Sequence, residues 1–132
     1  MAVLLYDKTY CKIFFHEDLQ CVHLNWEGFA TSEEFREACD FSLELLEQKQ
    51  VSRMIADNTN SKAITPEDQK WLNEDWFGRA FAKGFRVSAT IYSKNVFNKL
   101  ALKNIVNNIN GEVFTVQMFE SFEDANVWIQ SL

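Results

Sequence analysis

The order of hydrophobic periods along the chain constrains its fold most: two strand-period segments come first, and helical and strand periods then alternate to the C-terminus. From Tyr10 to Glu17 and from Gln20 to Glu27 the residues are rich in aromatic and β-branched types. Val22, Leu24 and Trp26 alternate there with Cys21, His23 and Asn25, the period of two expected of strands, with a turn near Asp18. Val3 to Tyr6 is too short a run to distinguish a leading strand from a packed arm.

Thr31 stands three residues before Glu34, a capping-box arrangement, and Phe35, Ala38, Cys39, Ser42, Leu45 and Leu46 recur at helical spacing, which predicts a helix from about Ser32 to Gln48. Val51 to Ala56 reads as a short strand. The polar stretch Asp57-Asn58-Thr59-Asn60-Ser61-Lys62 favours turns and reads as the longest loop. Thr65-Pro66-Glu67-Asp68 opens a second helix, because threonine caps, proline fits the first turn and acids suit the positive helix end. Lys83-Gly84 closes it, with glycine in the left-handed position.

Phe85, Val87, Ala89 and Ile91 alternate with Arg86, Ser88, Thr90 and Tyr92, describing a strand with one buried and one partly polar face. A third helix is predicted from about Asn95 to Asn108, with Phe97, Ala101, Ile105 and Ile109 as its apolar stripe and Lys94, Lys99 and Lys103 on the wet side. Val113 to Phe119 is the last strand. Ser121-Phe122-Glu123-Asp124 caps a closing helix with Phe122, Ala125, Trp128 or Ile129, and Leu132 on one face.

Strands alternating with helices after a hairpin imply an α/β fold: a mixed sheet of about five strands, the later ones parallel, with about four helices mainly on one face. The 132 residues, 47% of them hydrophobic, suit one domain spanning 1–132, and four Gly and one Pro leave little material for linkers.

This element order resembles the SpoIIAA-like branch of the STAS (sulphate transporter and anti-sigma-factor antagonist) superfamily. The residues that carry the resemblance are Trp26-Glu27-Gly28 closing the second strand and Phe122-Glu123-Asp124-Ala125 leading to Trp128-Ile129. It covers nearly the whole chain and implies a non-enzymatic interaction module. In the anti-sigma antagonists a serine at the start of the second helix, in an Asp-Ser-Ser-Gly-like run, is phosphorylated and the added charge expels the partner. This chain has no such run: Asp57 resembles the family's strand-ending acid, and Thr65 is the only hydroxyl placed like the switch serine. SpoIIAA-like domains also resemble the CRAL-TRIO lipid-binding fold, which implies a carrier of an apolar ligand as the alternative.

A net charge of -6 disfavours nucleic acid and anionic membranes as partners, since both demand a cationic field. Ala2-Val3-Leu4-Leu5-Tyr6 is too short for a signal-peptide core and no apolar run approaches ~18 residues, so the expectation is a cytoplasmic protein without stable membrane anchoring. Cys11, Cys21 and Cys39 lack CxxC spacing and read as small buried hydrophobes, although Cys11 and Cys21 can be placed across the hairpin. His16 and His23 lie on adjacent strands, but a metal needs three or four ligands, so no metal and no cofactor is expected. No G-x-S-x-G, glycine-rich phosphate loop or H-E-x-x-H occurs, and no catalytic residues are assigned.

The second helix stands out. Leu72, Trp76 and Ala80 make one stripe, Phe77 and Phe81 widen it, and Trp71 lies on the remaining side. A helix touching one core needs an apolar face of ~100° or somewhat more. The surplus predicts a second surface for a protein partner, another copy of the chain or a small apolar ligand; the plainer alternative is that the neighbouring loop covers it. Asp57, Ser61 and Thr65 are the loop and switch-like positions beside it. Asp57 with Glu67 is a possible carboxylate pair, and capping or turn formation is the simpler role for each.

Overall fold

The computed structural model describes residues 2–132. Its strands are β1 (Ala2–Asp7), β2 (Cys11–His16), β3 (Cys21–Gly28), β4 (Arg53–Ser61), β5 (Val87–Ile91) and β6 (Thr115–Phe119). They form one mixed sheet in the order β1-β2-β3-β4-β5-β6. β1 to β3 are antiparallel neighbours; β3 to β6 run parallel. The sheet has six strands, one more than expected, because the leading segment pairs with β2 from Ala2↔His16 to Asp7↔Lys12.

The predicted loop after Ala56 is a strand. Asn25 pairs with Asp57 and Glu27 with Asn60, so a bulge absorbs one extra residue and β4 continues to Ser61. Asp57 Oδ1 accepts hydrogen bonds from the Thr59 N–H (3.0 Å) and Oγ1–H (2.6 Å). The local turn preference of these residues survives inside the strand as the bulge.

The helices are α1 (Ser32–Lys49), α2 (Pro66–Trp71), α3 (Phe77–Ala82), α4 (Val96–Asn107) and α5 (Phe122–Gln130), with a π-helical turn over Leu72–Trp76 joining α2 to α3. The caps follow the sequence. Thr31 Oγ1 accepts from Glu34 N–H while Glu34 returns a bond to Thr31 N–H. Thr65 Oγ1 accepts from Asp68 N–H. After α3, Gly84 takes φ +107° and Phe85 N–H reaches back to the Ala80 carbonyl, the bond pattern of a glycine-terminated helix. The π turn was not foreseen: an apolar period near 3.6 does not distinguish it from α-helix.

Two cores lie on opposite faces of the sheet. α1, the interrupted helix α2–α3 and α4 cover the larger, which takes Val22, Leu24, Trp26 and Met54 from the strands. α5 covers the smaller, packing Ala125 and Ile129 on Cys21, Ile55, Ala89 and Ile91. α4 is rotated from its expected stripe. Asn98, Leu102 and Ile105 are buried, while Phe97 is 82% exposed beside Val96 and Leu100. The inward position of Asn98 explains the rotation: its Nδ2 donates to Ser61 Oγ at 2.8 Å, and Ser93 Oγ donates to the Ser61 carbonyl at 2.7 Å.

Candidate functional site

Between the larger helical layer and the sheet lies a cavity of about 90 Å3. Leu72, Trp76 and Phe77 of the π turn and α3 form one wall, Leu102 and Ile105 of α4 a second, and Leu24, Trp26 and Met54 part of the floor. Trp76 is fixed there because its indole N–H donates to the Cys39 carbonyl at 3.1 Å and its ring meets Phe77 and Phe85 edge to face. The π turn holds Leu72 and Trp76 on the buried side together.

The rest of the floor is polar. Asn58, Ser88 and Thr90 line the cavity and are all buried. Ser88 Oγ and Thr90 Oγ1 share one hydrogen bond at 3.4 Å. Asn58 Nδ2 donates to the Ala56 carbonyl (3.1 Å) and the Ile91 carbonyl (3.3 Å). The polar face expected of β5 is therefore covered, because a strand between two parallel neighbours is packed on both sides. That signal was present in the predicted strand order and marks Ser88 and Thr90 as buried polar groups. Asn58 was hidden by the loop assignment.

Of the surface residues singled out in the sequence, Leu72 and Trp76 point inward and Phe77 is part of the cavity wall. Trp71 is half-covered, with the Arg36 and Arg79 guanidinium carbons 5.2 and 5.6 Å from its ring centroid and Phe35 edge-on at 6.3 Å. Phe81 is 42% exposed, with Arg86 stacked at 3.8 Å and Phe114 edge-on at 6.1 Å. Phe77, Phe81, Ile109 and Phe114 also line an external groove of about 330 Å3, so Phe77 and Ile109 stand between groove and cavity. The surplus aromatic area meets Phe35 and Arg36 of α1, Phe114 and the cavity, whose lining includes Ile64 of the preceding segment.

Ser61, placed in a polar loop by the sequence, is 7% exposed and holds Asn98. Asp57 is committed to Thr59 and Thr65 to Asp68 N–H, and no hydrogen bond joins Asp57, Thr65 and Glu67. The sequence also missed Asp68 as a buried group: it is 2% exposed and accepts from Ser32 Oγ (3.0 Å) and Arg36 Nε (3.1 Å), tying α2 to α1.

His16 Nε2 and His23 Nδ1 are 2.9 Å apart, the diagonal contact the hairpin allows. No cluster of three or more metal-ligating side chains occurs among the described residues. Cys11 and Cys21 do not meet across the hairpin: Cys11 pairs with Trp26 and belongs to the larger core, whereas Cys21 pairs with His16 and lies under α5. Burial pushes the pKa of both thiols up to about 12 and raises that of Cys39 well above its ordinary value. Among the described residues no helix is long and apolar enough to cross a membrane.

No family model, curated protein or solved structure matches the chain.

Proposed function

We propose that this domain binds a small, largely apolar molecule in the cavity beneath the π turn and acts by carrying or sensing it, without chemistry on it. The observation that carries this reading is the lining: aromatic and aliphatic walls around three buried polar side chains on one stretch of sheet, the composition typical of small-molecule sites. Cys39 is the one titratable side chain among the described lining residues, and burial holds its thiol in the neutral form, which supports binding over catalysis.

Size narrows the occupant. A cavity of about 90 Å3 is smaller than the ~150 Å3 that admits benzene, so a long acyl chain does not fit without rearrangement. Membership of the SpoIIAA-like branch is proposed on the element order with Trp26-Glu27-Gly28 and Phe122-Glu123-Asp124-Ala125, and a cytoplasmic location on the sequence alone. Docking of a protein partner through the same helix rests on Phe81, the exposed member of the aromatic set.

The test is an NMR screen of compact apolar compounds against methyl-labelled protein. Compounds are expected to shift the Leu24, Leu72, Leu102 and Ile105 methyls, and Ala56→Leu, which adds bulk at the cavity lining, is expected to abolish those shifts. Shifts that persist in the variant, or no cavity shifts with any compound, overturn the proposal.

A further inference from the structure

We infer that the cavity selects a compact alcohol, whose hydroxyl group is met by the Ser88–Thr90 hydroxyl pair and by the Asn58 carbonyl oxygen. The inference rests on the cavity being a binding site and adds the chemical class of the occupant. It follows from which hydrogen-bonding atoms remain once the protein's own bonds are assigned.

Ser88 and Thr90 carry two O–H hydrogens and share one hydrogen bond. Whichever hydroxyl donates, the other retains a hydrogen with no protein acceptor among the described residues. Both side chains line the cavity, so one donor is available there. Asn58 offers the opposite. The side-chain amide N–H groups face two backbone carbonyls, which assigns the amide orientation, since its oxygen in that place would oppose two acceptors. Its Oδ1 then has no donor among the described residues and is the acceptor at the cavity.

The two are neighbours in the sheet. Thr90 pairs with Ala56, and Asn58 follows two residues after Ala56 on the same strand. One free donor beside one free acceptor is the complement of a group that accepts and donates through a single atom. A hydroxyl does so. A ketone or ether satisfies only the donor, and a hydrocarbon satisfies neither. The apolar walls and the volume of about 90 Å3 limit the remainder to a short branched chain or small ring of about five carbons. A cation or carboxylate is disfavoured, because no charged side chain lines the cavity to offset its desolvation.

Cyclopentanol and cyclopentane are a matched probe pair, to be titrated by NMR into wild type and into the double variant Ser88→Ala, Thr90→Val, which removes the donor with little change in shape. Wild type is expected to bind the alcohol about tenfold more tightly than the hydrocarbon, the value of one well-placed bond against an unpaired buried group. The variant is expected to lose most of that preference while binding cyclopentane as wild type does, which also reports that its cavity is intact. Equal affinity of wild type for the two probes, or a preference that survives in the variant, overturns the alcohol inference and leaves the cavity reading standing. Failure of both probes to shift the cavity methyls of wild type overturns both.

Discussion

His23 lies in β3 with Phe14 and Phe122 around its ring, centroids 5.6 and 4.9 Å away. Its Nε2 is buried without a partner among the described residues, and its Nδ1 shares a hydrogen bond with His16 Nε2 in which either nitrogen can be the donor. Burial, and then His16, push its pKa down to about 4 from 6.5. The unfolded chain therefore binds a proton between these values that the folded chain refuses, and stability falls as pH drops from about 6.5 towards 4. The shift corresponds to a loss of about 3 kcal/mol at most. Urea unfolding at pH 7 and pH 4.5 is expected to show a smaller acid loss for His23→Gln than for wild type; equal losses would remove the histidine from the account. The histidine contact was legible in the hairpin pattern because strand pairing alone sets it. The states of Ser61 and Asn58 were not, since their burial depends on a bulge and on an asparagine of a helix more than thirty residues later in the chain.

The interrupted helix shows what a face pattern can and cannot convey. Thr65, Pro66 and Gly84 mark its ends by local chemistry, and these were readable. The π turn leaves no such mark. A π turn holds one residue more than an α turn over the same stretch, so deleting Asn73, whose Oδ1 is buried without a partner, is expected to restore α-helix while α2 and α3 keep their inward faces. The deletion protein is expected to stay folded within about 1 kcal/mol of wild type, with the cyclopentanol shifts lost because Leu72 and Trp76 re-pack. Thermal melts by circular dichroism and the same NMR titration check both halves. α4 gives the converse lesson. Its stripe was assigned through Phe97 by hydropathy, but the geometry follows Asn98, a polar residue drawn inward by Ser61. Phe97→Ser is accordingly expected to change stability by no more than about 0.5 kcal/mol in chemical denaturation, where a core phenylalanine would cost about 3 or more.

For the molecule as a whole, the sheet separates two cores of unequal size. Leu46 belongs to the larger and Ile129 to the smaller, and both are fully buried. Alanine at either position is expected to cost about 2–4 kcal/mol. Because the sheet stands between them and they belong to different cores, the double variant is expected to lose the sum within about 0.5 kcal/mol, measured by urea denaturation. A large departure from additivity would mean that strain passes through the strands. The α/β alternation and the mixed sheet were legible at this scale; the sixth strand was not, since a six-residue segment acquires its identity only from β2.

Each strand lies beside the strand that precedes it in the chain. During synthesis from the N-terminus every strand thus finds its partner already made, and the sheet can widen one edge at a time as the chain leaves the ribosome. α5 must reach back, laying Ala125 and Ile129 across Cys21, Ile55, Ala89 and Ile91 of strands completed before it. α5 follows in the chain every strand it covers, so a nascent chain stalled before it holds a formed sheet with one side still bare.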